Sequence, residues 1–380
     1  MAYPFRMERK RAEFQPEADP PPESGTTVPD CPRKGRGAVG NPEGRFDPES
    51  RHREHDGWDP EEEEPGLQTI VYADAARSIL SHNDSPDVPL SRSLNPYRGC
   101  EHGCIYCFAR PSHSYLGLSP GLDFESRIFA KHAAAELLRQ ELAKPSYRPE
   151  VIALGSNTDP YQPVERKLRI TRGVLEVLLQ ARHPVTLITK STLVLRDLDL
   201  LQELAQQNLV RVCLSITTLD GKLARNLEPR AATPMKRLAT LQKLNQAGIP
   251  VTVLSAPMIP GLNDSELEAI LEAAAERGAD RAGYVLLRLP HELGALFENW
   301  LDTHMPERKN RVLKLVKETR AGHLYESRWG TRMKGRGVYA DLLRQRFETA
   351  TRRLKLNRTE NSMDCNRFRA PRDPRQFELF

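Results

Sequence analysis

Cysteine is scarce in this chain of 380 residues: there are six, and none lies between Phe108 and Val212. So few, so unevenly spread, exclude the disulfide framework of a small secreted domain. Aromatic residues make up only 6%. Long apolar runs are also missing. Nothing approaches the roughly 20 residues that cross a bilayer, and the opening MAYPFRMERKR carries no apolar signal segment. No membrane partner and a cytoplasmic location are therefore expected. Neither sign of charge is lacking, with Lys+Arg 56 against Asp+Glu 51 and a net charge of +5. The balance is uneven along the chain. Glu61 to Glu64 form an acidic block, and the region after Met305 is basic, with Arg308, Lys309, Arg311, Lys314, Lys317 and further cations to Arg336. That asymmetry admits a polyanion such as nucleic acid as partner, and equally admits a solvated helix face.

Half of the cysteines sit together. The run Arg98-Gly99-Cys100-Glu101-His102-Gly103-Cys104-Ile105-Tyr106-Cys107 has the pattern C-x3-C-x2-C. Three thiolates on one Gly-containing loop make a soft, trivalent metal site. A structural zinc site fills four positions, and a ferredoxin-type cluster takes four cysteines. Three cysteines on a four-iron cluster leave one iron open to a small molecule. Zinc remains an alternative, with His102 or His113 as a fourth ligand. Cys31, Cys213 and Cys365 are scattered and read as ordinary reduced thiols.

The chain divides by pattern. Residues 1–66 are rich in Pro, Gly, Glu and Arg and read as mostly disordered or extended. Strands and helices then alternate. A first strand over Leu94–Tyr97 feeds the cysteine loop, and a helix covers Lys131–Ala143. Strands are predicted at 151–154, 185–188, 209–216, 250–256 and 282–287. Helices are predicted at 170–181, 197–206, 233–247 and 264–277. About six β-α units in sequence imply a parallel sheet. A closed barrel needs about eight. The expected fold is thus α/β, a partial TIM-like barrel over residues 67–291 with working groups at the C-terminal strand ends. An α-rich extension over 292–356 and a basic flexible tail over 357–380 complete the expectation.

The cysteine loop resembles that of the radical S-adenosylmethionine (SAM) superfamily, which places an aromatic, here Tyr106, just before the last cysteine. The resemblance implies a [4Fe-4S] cluster on Cys100, Cys104 and Cys107, with SAM chelating the fourth iron through its amino and carboxylate groups. It further implies a 5′-deoxyadenosyl radical that abstracts hydrogen from a substrate, and a reductant such as flavodoxin or ferredoxin. On this likeness, Gly155, Ser156, Thr158 and Asp159 at the second strand end are candidate acceptors for the SAM amino group, although the superfamily's usual Gly-Gly-Glu is absent; a capped turn is the competing reading. Lys190 at the third strand end would meet the carboxylate, Ser215 at the fourth the carboxylate or ribose, and Glu228 the ribose hydroxyls. The apolar residues after the fifth strand suit either adenine contact or packing.

Within the superfamily, four segments most resemble the spore photoproduct lyase-like group: Asn95-Pro96-Tyr97-Arg98-Gly99-Cys100 with its loop, Thr158-Asp159-Pro160-Tyr161-Gln162-Pro163, Thr189-Lys190-Ser191, and Pro257-x-Ile259-Pro260-Gly261. This implies a lyase-like reaction on a DNA base or lesion. The group's namesake carries a hydrogen-donating cysteine near the end of strand two, a position this chain leaves without one. Radical chemistry on a small molecule or protein, and a zinc-dependent nucleic-acid-binding module, are the alternatives. The tail Gln376-Phe377-Glu378-Leu379-Phe380 resembles the bacterial sliding-clamp binding peptide, with Gln376, Leu379 and Phe380 as anchors.

Overall fold

A computed structural model of the chain describes residues 31–46, 67–88, 90–358 and 362–371. The strands are β1 (Ile70–Ala73), β2 (Leu80–His82), β3 (Arg92–Leu94), β4 (Tyr97–Arg98), β5 (Arg127–Ala130), β6 (Ile152–Leu154), β7 (Val185–Thr189), β8 (Val210–Ser215), β9 (Val251–Met258) and β10 (Arg281–Leu286). The helices are α1 (Leu122–Ser126), α2 (Ala134–Leu142), α3 (Glu165–Leu168), α4 (Ile170–Gln180), α5 (Leu198–Gln206), α6 (Gly221–Leu227), α7 (Pro234–Gln246), α8 (Leu267–Ala275), α9 (Leu293–His304), α10 (Lys309–Glu318) and α11 (Val338–Arg353).

The main sheet runs β10-β9-β8-β7-β6-β3-β2. Pairings from β3 to β10 are parallel, and β2 pairs antiparallel with β3 at the edge. These six parallel strands match the expected β-α repeat. Alternation along each strand divides the two faces. On β8, Val210, Val212 and Leu214 enter the main core, where Val174, Leu178, Leu201, Leu241 and Leu271 of the helices meet them. Arg211, Cys213 and Ser215 take the opposite face.

The first expected strand is broken in two. Arg92–Leu94 joins the main sheet, whereas Tyr97–Arg98 pairs with β5 in a separate sheet of order β1-β5-β4. Pro96 has no N–H to continue the ladder, and Asn95 turns its side chain to the second strand end, where its Oδ1 accepts from Asn157 N at 2.9 Å. The helix expected from Lys131 begins at Ala134, because β5 occupies residues up to Ala130. β1, β2 and β5 went unseen in the sequence, being too short for a clear period.

Residues 31–46 carry no strand or helix, yet they lie against the body. Ala38 and Val39 are buried, and Gly37 N and Ala38 N donate to the Glu125 carboxylate at 3.0 and 2.8 Å. Residues 47–66, Trp58 among them, and the tail residues Gln376, Leu379 and Phe380 lie outside the described residues. After β10, helices α9 and α10 put Leu293, Phe297, Trp300, Val312 and Val316 into a second core that also holds Cys104, Ile105 and Tyr106 of the cysteine loop. α11 packs on α8, with Arg346 and Glu268 paired at 2.5 Å. Between α10 and α11 a strap crosses from one edge of the sheet to the other. Met333 O accepts from Leu286 N of β10 at 2.9 Å. Gly330 N and Arg332 Nε donate to Asp87, in the turn after β2, each at 2.6 Å. Among the described residues no helix is long and apolar enough to cross a membrane.

Candidate active site

The cysteine loop leaves β4 through Gly99, whose φ is +77°. A side chain there would press on the Arg127 carbonyl and the His113 ring at 3.0 Å, so glycine alone fits. The loop is held from within by Arg110. Its guanidinium donates to the carbonyls of Cys104, Gly103, Pro120 and Gly121 between 2.8 and 3.1 Å, and pairs with Glu125 at 2.5 Å. Both charges are fully buried. Such a pair stands because every donor of the fork is used.

Cys100 and Cys104 are 7% and 8% exposed, and Cys107 is half-buried. Burial of the sulfurs pushes all three thiols up, Cys100 well above the usual range and Cys104 to about 12. Backbone N–H groups pull the other way, from Asp159 toward Cys100 and from Ala109 and Arg110 toward Cys107. Thiolates here therefore need a cationic partner, and binding one releases protons. The donor set fits an iron–sulfur cluster. Among the described residues no three Cys, His, Asp or Glu side chains converge on one ion; a cubane asks for no such convergence, since each thiolate binds a different iron. The two histidines offered for zinc are engaged elsewhere. His102 Nδ1 faces Asp159 Oδ2 at 3.3 Å, and His113 Nε2 donates to the Arg127 carbonyl at 3.0 Å.

The sequence-predicted residues divide into those that face the thiols and those that brace the loop. Lys190 faces them. It leaves the end of β7, its Nζ lies 5.8 Å over the Tyr106 ring, and its charge acts on Cys104 and Cys107. Among the described residues this ammonium has no carboxylate within ion-pair distance. Ser215 closes β8 at 4% exposure, and its hydroxyl makes no hydrogen bond among the described residues. Ser156, half-buried, accepts from Asn95 Nδ2 at 3.4 Å.

Asp159, Thr158 and Glu228, expected to receive the cofactor, are instead spent within the protein. Asp159 Oδ1 accepts from Tyr161 N at 2.9 Å and Thr189 Oγ1 at 2.7 Å, and Oδ2 from Lys190 N at 2.7 Å. Burial would raise its carboxyl, but His102 and these donors hold it at about 2. Thr158 Oγ1 donates to the Tyr97 carbonyl at 2.8 Å. Glu228 is 2% exposed. Its Oε1 accepts from Tyr106 and Thr217, and its Oε2 pairs with buried Arg237. Burial again opposes the charge, and Arg237 and Lys190 pull the carboxyl down to about 2. Tyr106 is thus tied by its hydroxyl to this hub.

Several supports escaped sequence reasoning. Gln162 Nε2 donates to Gly99 O at 3.2 Å, and its Oε1 accepts from Glu101 N at 2.9 Å. With Asp159 on His102, the Thr158–Gln162 turn therefore clamps the cysteine loop. Arg110, Glu125 and the segment at Gly37 complete the frame. The signal for Arg110 was its place three residues past the last cysteine, which nothing in one sequence distinguishes from a surface arginine.

An α/β fold with a parallel-strand sheet, three clustered cysteines on the loop that enters it and an uncommitted lysine at a strand end define an iron–sulfur enzyme class. The comparisons name it. The Radical SAM superfamily model matches residues 94–274. An uncharacterised protein of Mycobacterium tuberculosis is 37% identical over 67% of this chain and 80% of its own length. The FeMo cofactor biosynthesis protein NifB of Chlorobaculum tepidum is 26% identical over 58% of this chain and 51% of that protein. Among solved structures, spore photoproduct lyase complexed with dinucleoside spore photoproduct aligns with a TM-score of 0.55 at 15% identity, covering 75% of this chain and 79% of that one; this likeness is one of fold. The chain belongs to the radical SAM superfamily and is an enzyme of it. That family uses a [4Fe-4S] cluster and SAM, and its members need a reductant.

Proposed function

We propose that the protein binds a [4Fe-4S] cluster through Cys100, Cys104 and Cys107 and uses it with SAM to abstract hydrogen from a nucleic-acid base or lesion. The observation that carries this is the approach of an uncommitted ammonium, Lys190, from the adjacent strand end to Tyr106 and the thiols of Cys104 and Cys107 on the three-cysteine loop. When bound, the cluster and SAM supply a 5′-deoxyadenosyl radical. The chain's own part is placement. Lys190 receives the SAM carboxylate, and Ser215 and Ser156 offer hydroxyls at the flanking strand ends. Tyr106, fixed by Glu228 and Thr217, sets the wall beside the last cysteine. The buried Arg110 frame and the second core exclude water behind the loop.

The strap supports a partial barrel with a helical extension at its flank. A flat sheet of seven strands spans roughly 29 Å from first to last, whereas Gly330 to Met333 reaches at most about 11 Å and still touches both sides. This reach favours a sheet that curls.

Anaerobically purified protein should be brown, hold about four irons per chain, and release 5′-deoxyadenosine with SAM and a reductant. Cys104→Ala should lose all three properties. Colourless protein carrying one zinc would overturn the reading. For the substrate, transfer of deuterium from labelled DNA to 5′-deoxyadenosine is the expected result, and its absence across damaged and undamaged strands would remove nucleic acid.

A further inference from the structure

Arg288 follows β10 and stands beside the cysteine loop without an anion. Its guanidinium lies 5.3 Å from the ring of Phe108, the residue after Cys107, and Phe108 is 43% exposed. Nη1 donates to Met333 Sδ at 3.2 Å, a weak acceptor. Nε is buried and has no hydrogen-bond partner. Among the described residues Arg288 has no ion pair. A second guanidinium, Arg320, sits behind it, fully buried and spent on the carbonyls of Leu286, Leu287, Thr331 and Arg332. Burial and the nearby Arg288 draw Arg320 down to about 10. Glu326 offsets part of this charge, but its carboxylate lies toward Arg336 and Arg328 at 3.6 and 3.8 Å. Two arginines at close quarters, each with a buried Nε that has no partner, leave positive charge in excess.

We propose that Arg288 anchors a phosphate group of the substrate at the mouth of the site, with Phe108 as the flat surface beneath it. The inference rests on the radical SAM reading for its location, and on the Arg288 environment for its chemistry. A phosphate offers the two parallel acceptors that a guanidinium fork matches, and it would take the donors now spent on a thioether or on nothing. The strap continues the path outward. Between Ser327 and Gly337 it holds the exposed cations Arg328, Lys334 and Arg336, Arg332 being held by Asp87, and Trp329 is 58% exposed. Cations interleaved with an exposed aromatic suit the backbone and bases of a single strand, so the phosphate is that of a nucleic-acid strand.

The test is binding of a fluorescent short single-stranded DNA to the cluster-loaded protein by anisotropy, with thymidine monophosphate and inorganic phosphate measured by calorimetry. Arg288→Gln should weaken DNA binding about tenfold and lower the salt dependence by about one phosphate contact. Arg288→Lys should recover part of the loss. Iron per chain and cluster absorbance unchanged in both variants would show an intact site. A loss seen only with the mononucleotide or phosphate supports the anchor and makes the free phosphate its source. Wild-type affinity for all three probes in Arg288→Gln overturns it. Failure of the radical SAM reading would show separately, as wild-type protein without four irons or 5′-deoxyadenosine.

Discussion

Lys190 shows how one residue can be placed by its neighbours and still be uncommitted. Asp159 fixes its backbone through Lys190 N at 2.7 Å, and the ammonium extends over Tyr106. Lys190→Met should weaken SAM binding about tenfold, read by calorimetry, and Lys190→Arg should keep part of it. Equal affinity in all three proteins would remove Lys190 from the cofactor site. Glu228 makes the opposite case. Its pair with Arg237 is buried on both sides, so Glu228→Gln leaves a guanidinium unmatched and should cost about 3–5 kcal/mol in urea unfolding. The folded carboxyl is held at about 2, below the ordinary 4.5. Its stabilisation is complete above about 4.5 and fades as pH falls toward about 2. The gap between wild type and Glu228→Gln should narrow over that window; a gap independent of pH would contradict the pairing.

At the scale of elements, the cysteine loop is a short segment braced from three directions. The Thr158–Gln162 turn clamps its start, Arg110 gathers its carbonyls, and residues 31–46 cover its side. Gly37 lies so close that a Cβ there would run into the Gly103 carbonyl oxygen. Gly103, at φ +67°, has no room either, since its Cβ would meet Glu125 Oε2 at 2.8 Å. Gly37→Ala should therefore shift the loop, costing about 1–3 kcal/mol by overpacking. Iron retention after gel filtration should drop, while far-UV circular dichroism keeps its strand and helix signal. Full iron retention would mean that residues 31–46 are a cover without influence on the cluster.

For the whole molecule, the strap is the connection that joins what the sheet order leaves apart. Asp87 accepts from both Gly330 N and Arg332 Nε, and Ser85 accepts from Arg332 as well. Asp87→Ala should free this end while Met333 O keeps its hold on β10. Amide exchange over residues 328–334 should then rise about tenfold, the equivalent of about 1.4 kcal/mol of local stability. The main strands should be unaffected. Unchanged exchange over the strap would show that its contact with β10 suffices.

The sequence by itself determined the three-cysteine loop and the repeat. Cys100, Cys104 and Cys107 are adjacent in the chain, so their spacing alone brings the thiols together, and the apolar runs from Ile152 to Leu286 announce a parallel sheet because both faces of such strands are covered. Lys190 was legible for the same reason, as the first polar side chain beyond a buried strand. Tertiary structure alone decided which acidic side chains remain available. Asp159 and Glu228 sit at strand ends like cofactor ligands, yet their oxygens are taken by donors far away in sequence: His102 lies 57 positions before Asp159, and Tyr106 lies 122 before Glu228. Hydrogen-bond satisfaction of a buried carboxylate is a property of the folded surroundings, and no local pattern encodes it. The same holds for Arg110, Gly37 and Arg288, whose chemistry begins only when separate segments close around the loop.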